Sequence, residues 1–91
     1  LLCEAALGEM NEKATADCHA ANLPQGKSST LGTGRTAPPK SSYVKLDGVT
    51  VPIGAGEDTN IQNGHLMYNE YIVYNVEQAK MKYLIKMKFN Y

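Results

Sequence analysis

The sequence predicts a small α+β domain in which antiparallel β-strands and Gly-rich loops predominate, with at most one short helix. Three patterns lead there. Residues 66–74 and 79–91 are dense in β-branched and aromatic side chains or alternate apolar with charged ones, which suits the pleated surface of a strand. Two β-rich runs within YVKLDGVTVPI, residues 43–53, flank Asp47-Gly48, a dipeptide that tolerates the positive φ angles of a type I′ hairpin turn. Gly, Pro, Ser, Thr and Asn fill the spaces between these runs, so strand-helix-strand units with a parallel sheet are not expected.

Taken in order, LLCEAALGEM (1–10) favours helix by propensity, but its apolar run is short and broken by Gly8, so periodicity leaves helix and buried strand open. Residues 11–22 are polar and Ala-rich and predict a short helix or helical turn that Pro24 stops. Residues 24–42 read as loop, with one short strand near Ser29–Gly32. After the hairpin, GAGEDTNIQNGH (54–65) forms a second loop that delivers the chain into the strand LMYNEYIVY (66–74). Alternation there places Leu66, Tyr68, Glu70, Ile72 and Tyr74 on one face and Met67, Asn69, Tyr71 and Val73 on the other. Both faces are largely apolar, which predicts an interior strand. Residues 79–91 then predict one long amphipathic strand, with Ala79, Met81, Tyr83, Ile85, Met87, Phe89 and Tyr91 inward and Lys80, Lys82, Lys86 and Lys88 outward.

With 91 residues the chain has room for one domain and a small core, because so short a chain buries only about two-thirds of its unfolded surface. Nine basic residues balance nine acidic ones, so no overall field attracts nucleic acid or a membrane. No apolar run approaches the roughly 20 residues of a membrane span. Cys3 and Cys18 are too few for a disulfide framework and have no zinc spacing, which points to a reducing compartment. Leu1-Leu2 opens the chain without a signal-peptide pattern and in the middle of a structural element, so a fragment is expected.

Most candidate motifs yield to simpler readings. Gly26-Lys27-Ser28 resembles the end of a phosphate-binding P-loop, but Ala21 stands where that motif needs Gly and Pro24 spoils the strand-to-helix context. Gly32-x-Gly34-x-x-Ala37 fits a dinucleotide fingerprint only formally, since Pro38 and Pro39 forbid the following helix, and a mobile loop is expected instead. His19 and His65 lack partners at ligand spacing and are expected on the surface or in loops. The lysines of 79–91 read as a solvated face. Glu70 is different. A carboxylate in an apolar strand costs several kcal/mol in order-of-magnitude terms unless it is paired, hydrogen-bonded or facing a polar cleft. Either neighbouring tyrosine hydroxyls or a lysine satisfy it, or it is aimed into a cleft as a general base or as a stabiliser of a developing cation.

The stretch LMYNEYIVYNVEQAKMKYLIKMKFNY closely resembles the C-terminal end of the poly(ADP-ribose) polymerase catalytic domain, and the likeness runs back through LPQGKSSTLGTGRTAP to LLCEAALGEM. The most specific part is YNEYIVY followed by a strand of alternating lysines. The resemblance is to the DNA-damage-responsive polymerases more than to the mono-transferring branches. It implies an ADP-ribosyltransferase fold, two packed sheets around an NAD cleft, in which residues 1–91 form the C-terminal part of one catalytic domain and LLCEAALGEM is a buried strand. Glu70 falls on the Glu of the family's His-Tyr-Glu triad. The His, the Tyr and the Gly and Ser that grip nicotinamide belong to segments expected before Leu1.

By the same resemblance, Glu70 holds the 2′-hydroxyl of the nicotinamide ribose and Tyr68 lies where the incoming acceptor is positioned, while Asn69 and Tyr71 are structural. NAD is a consumed substrate and no cofactor is bound permanently. The implied partners are protein acceptors and poly(ADP-ribose), with DNA reached only through other domains, no membrane, and a nuclear location. The sequence departs from the family where Gly-Lys-His-Ser is usual and Gly26-Lys27-Ser28-Ser29 stands, and it stops at Tyr91, short of a usual Leu-Trp tail. Two rival readings follow: a mono(ADP-ribosyl)transferase, against which Glu70 speaks, and a catalytically silent interaction fragment.

Overall fold

Ten short strands and two single-turn 3₁₀ helices organise the chain in a computed structural model that describes residues 1–90, and no α-helix occurs among those residues. In chain order the strands are β1 (Leu2–Ala5), β2 (Met10–Lys13), β3 (Ser29–Gly32), β4 (Gly34–Ala37), β5 (Tyr43–Leu46), β6 (Val49–Pro52), β7 (Glu57–Asp58), β8 (Leu66–Tyr68), β9 (Glu70–Ile72) and β10 (Ala79–Tyr83). The 3₁₀ turns are Lys40–Ser42 and Val76–Gln78. The predominance of strands and Gly-rich loops is as the sequence predicts.

The centre is β3, which lies parallel to β2 and antiparallel to β9. Immediately after it, β4 runs antiparallel to β7 and parallel to β8. The other pairs, β1 with β10 and β5 with β6, are antiparallel. Both parallel pairings are closed by long connections, the irregular 14–28 and the segment from 38 to 65 that holds β5, β6, β7 and a 3₁₀ turn, which supply the dozen or more residues that a parallel crossover needs without an α-helix. The hairpin at β5–β6 turns as expected, with Asp47 at φ 51° and Gly48 at φ 79°.

Because β3 is paired on both edges, it is the buried part of the fold: Ser29, Thr30 and Leu31 are nearly inaccessible, and Leu31 is the one buried apolar side chain among the described residues. The buried hydroxyls are satisfied. Ser29 Oγ donates to the Leu7 carbonyl at 2.7 Å, and Thr30 Oγ1 shares a 2.7 Å hydrogen bond with the Tyr74 hydroxyl. Gly34 abuts the end of the neighbouring β8 so closely that a Cβ there would overlap the backbone of Tyr68 and Asn69. Gly34→Ala is therefore expected to destabilise the fold by about 1–3 kcal/mol or more through overpacking against backbone, which cannot rotate away. Chemical denaturation of the protein checks this: an unchanged midpoint would contradict it.

Several expectations need correction. Residues 11–22 are not helical: β2 occupies Met10–Lys13, held by its pairing to β3, and a turn follows in which the His19 N–H bonds Asp17 Oδ1 at 2.9 Å. Long-range pairing and a local Asp turn outweigh Ala-rich propensity. LLCEAALGEM does supply strand, β1, but an exposed one: Leu1 and Leu2 keep 75% and 50% of their surface, since β1 meets only β10. The strand expected over 79–91 ends at Tyr83, because its partner is exhausted where Leu2 pairs with Tyr83. Its nominally inward residues Met81, Tyr83, Ile85, Met87 and Phe89 are exposed, with no second layer to cover them; Tyr91 lies outside the described residues. The stretch 32–37 is not a mobile loop but the end of β3 and all of β4.

The strand expected over 66–74 is broken at Asn69. There the side chain turns to the backbone, Oδ1 accepting the Gly34 N–H at 2.9 Å, and the chain passes from the sheet of β4 to the sheet of β3. One edge of β9 pairs with β3, no strand pairs with its other edge among the described residues, and Glu70 is exposed rather than interior.

Candidate functional site

Glu70 opens β9 directly opposite Gly32 on β3. A Cβ at Gly32 would meet Leu66 Cδ1 at 2.6 Å and would stand in ordinary contact with the Glu70 Cβ at 3.5 Å, so it is the Leu66 side chain for which the glycine makes room. Glu70 lines a cavity of about 190 Å³ together with Lys13, Thr30 and Ile72 from the central sheet and Asp17 and His65 from the connections around it.

The polar groups of that cavity are mostly committed to one another. Lys13 Nζ lies 2.9 Å from Asp17 Oδ2, and this contact, with the His19 backbone N–H, holds the Asp17 carboxyl below the usual carboxylate range. His65 Nδ1 accepts the Ala16 N–H at 2.9 Å while the His65 backbone N–H donates to the Ala14 carbonyl at 3.0 Å, which pins the segment after β2 against the loop before β8. No hydrogen bond or ion pair engages the Glu70 carboxylate among the described residues. The tyrosine or lysine partner that a purely structural role required is absent there. A carboxyl group without a partner among the described residues thus lines a small, largely apolar cavity.

Tyr68 is 66% exposed and sits on β8, in the other sheet. It lines a cavity of about 310 Å³ with Thr36, Pro38 and Tyr71, and a second of about 550 Å³ with Arg35 and Asp58. The break at Asn69 thus places Tyr68 and Glu70 on adjoining cavities rather than in one. Asn69 Oδ1 accepts the Gly34 N–H, and the Tyr71 hydroxyl meets that of Tyr43, whose phenol is pushed up first by burial and then by this contact.

His19 is exposed, and no group of three or more His, Cys, Asp or Glu could hold a metal ion among the described residues. Cys3 and Cys18 are free and exposed. Gly26-Lys27 forms a turn, with Gly26 at φ 85° and the Lys27 N–H on the Pro24 carbonyl at 3.1 Å, and leads into a strand rather than a phosphate-binding helix. Sequence reasoning missed Gln78, whose amide ties three segments together beside Lys27 and Ser28. Its signal was present: Asn75-x-x-Gln78 has the spacing of a capping box, and the structure forms one.

Comparison with known proteins places this geometry in a family. Residues 1–89 match the poly(ADP-ribose) polymerase catalytic domain. The whole chain aligns at 56% identity with poly [ADP-ribose] polymerase 2 of Arabidopsis thaliana, at 54% with poly [ADP-ribose] polymerase 1 of Xenopus laevis and at 51% with poly [ADP-ribose] polymerase 2 of Homo sapiens. It spans 14%, 9% and 16% of their respective lengths. The uncommitted carboxylate of Glu70 thus stands in a chain that belongs to the poly(ADP-ribose) polymerase family and carries part of its catalytic domain.

Proposed function

We propose that this chain is the C-terminal part of the catalytic domain of an NAD-dependent protein poly(ADP-ribosyl)transferase, with Glu70 as its elongation carboxylate. The observation that carries the reading is the Glu70 side chain itself, without a partner among the described residues and lining a cavity where β9 pairs with the buried β3. In the reaction the bond between C1′ of the nicotinamide ribose and the ring nitrogen breaks and its electron pair leaves with nicotinamide. An acceptor hydroxyl oxygen then bonds C1′ and gives up its proton. Glu70 accepts the ribose 2′-hydroxyl, stabilises positive charge as C1′ becomes oxocarbenium-like, and takes or orients the proton of the acceptor hydroxyl. NAD is consumed and no cofactor stays bound.

Acceptors are proteins and the growing poly(ADP-ribose) chain. Their approach is assigned to Tyr68, whose exposure on an adjoining cavity suits a stacking or hydrogen-bonding contact from the acceptor side. The polymerase names of the relatives support polymer formation over single transfer, and the reading includes a nuclear enzyme whose DNA contacts lie in other domains. Labelled NAD tests the class of reaction in the intact protein: a ladder of products supports elongation, and a single added unit refutes it.

Tyr68→Ala is expected to shorten or alter the polymer more than it slows nicotinamide release, because Tyr68 is separated from Glu70 by the break at Asn69. The ratio of chain length to NAD consumed measures this. A proportional fall in both would reduce Tyr68 to packing.

A further inference from the structure

Gln78 spends its whole side-chain amide on backbone. Nε2 donates to the Ala6 carbonyl at 3.0 Å and to the Ser28 carbonyl at 2.8 Å, while Oε1 accepts the N–H groups of Tyr74 at 3.3 Å and Asn75 at 3.2 Å. The main chain adds a 2.7 Å hydrogen bond from the Ala6 N–H to the Gln78 carbonyl. These partners are not scattered. The antiparallel register of β3 and β9 pairs Gly32 with Glu70, Leu31 with Tyr71 and Thr30 with Ile72. Two steps further along, the same register sets Ser28 against Tyr74, the two residues that the Gln78 amide bridges. The ladder that begins at Glu70 is therefore closed at its far end by a side-chain amide standing in for a peptide. Beside it, the Thr30 and Tyr74 hydroxyls bond across the same strands at 2.7 Å.

We propose that Gln78 is a positioning residue that fixes the β3–β9 register and so holds Glu70 opposite Gly32; this rests on the assignment of Glu70 as the elongation carboxylate. A short ladder is weakly specified by itself, since β9 has three residues, and a slip of one residue turns every side chain to the opposite face. Glu70 would then leave its place opposite Gly32 and turn away from the cavity it lines. Hydrogen bonds that are satisfied only in one register discriminate against the slip, because each slipped state leaves carbonyls and N–H groups without partners.

The test compares Gln78→Met, which keeps length and loses every hydrogen bond, with Gln78→Glu, which keeps the acceptor and loses both donors until it is protonated. Both are made in the intact protein, beside Glu70→Gln. Misplacement of a catalytic group by about an ångström can cost about a hundredfold, so Gln78→Met is expected to lower kcat for transfer at least about tenfold with the KM for NAD held within about twofold. Amide exchange at Tyr74 and Asn75 is expected to quicken. Gln78→Glu is expected to regain kcat relative to the unsubstituted protein as pH falls, as the protonated carboxyl recovers one donor. Should Gln78→Met fail to fold, the pH profile of Gln78→Glu decides. Unchanged kcat and exchange in either variant, or a Glu defect independent of pH, would overturn the proposal. Normal kcat in a Gln78 variant beside a disabled Glu70→Gln would overturn it alone, whereas polymer synthesis by Glu70→Gln would overturn the assignment of Glu70 beneath it.

Discussion

Glu70→Gln is expected to abolish polymer elongation in the intact protein while NAD binding and a residue of single transfer or NAD hydrolysis persist. The amide keeps the shape of the side chain but neither its charge nor its basicity. A carboxylate about 4 Å from an oxocarbenium-like C1′, at an effective dielectric near 20, contributes roughly 4 kcal/mol, which is about a thousandfold in rate. The fold should tolerate the exchange, because the Glu70 carboxylate supports nothing: it is exposed and takes no hydrogen bond or ion pair among the described residues. A kinetic loss without a stability loss separates a group held for chemistry from one held for structure. NAD affinity by calorimetry and product release by nicotinamide chromatography check both halves.

The 91 residues by themselves are expected neither to bind NAD appreciably nor to transfer ADP-ribose. Of the triad implied by the resemblance to the polymerases, Glu70 is the member matched within these residues, and no match is found in them for the groups that grip nicotinamide. Positioning supplies about 7–11 kcal/mol in well-oriented systems, more than the charge of one carboxylate. The charge itself is also weakened here: Glu70 is open to solvent, and near the dielectric of water the same 4 Å interaction falls to about 1 kcal/mol. The fold adds a second consequence. With Leu31 its one buried apolar side chain among the described residues, and Leu1, Leu2, Met81, Tyr83, Leu84 and Ile85 exposed along β1, β10 and the chain beyond, the isolated chain should self-associate. Light scattering and calorimetric titration with NAD check these outcomes; a monodisperse monomer with micromolar NAD affinity would contradict them.

Local chemistry made part of this fold legible in the sequence. The Asp47-Gly48 turn reads directly because positive φ selects those residues, and the strand at Ser29–Gly32 reads from its β-rich polar run between glycines. What local pattern could not disclose was pairing. Residues 10–13 look helical until β3 is there to pair with them, and 84–90 look like strand until β1 runs out. Alternation across 66–74 failed for one reason, the Asn69 side chain: it takes the Gly34 N–H and breaks the period that would have set Tyr68 beside Glu70. The site shows the same division. Glu70 stood out because a carboxylate among apolar residues requires a partner or a purpose, and its partner is missing among the described residues. Of Gln78, the capping-box half was legible from its spacing to Asn75, whereas its two donated hydrogen bonds reach backbone groups 50 and 72 residues away that no local pattern discloses.

The most direct test of the assignment of Glu70 is the length distribution of products made by the intact protein and by Glu70→Gln from labelled NAD, compared at equal nicotinamide released. The predicted result is a ladder of long polymer for the unsubstituted protein, with single ADP-ribose units or free ADP-ribose for the variant. Long polymer from the purified Gln variant would contradict it.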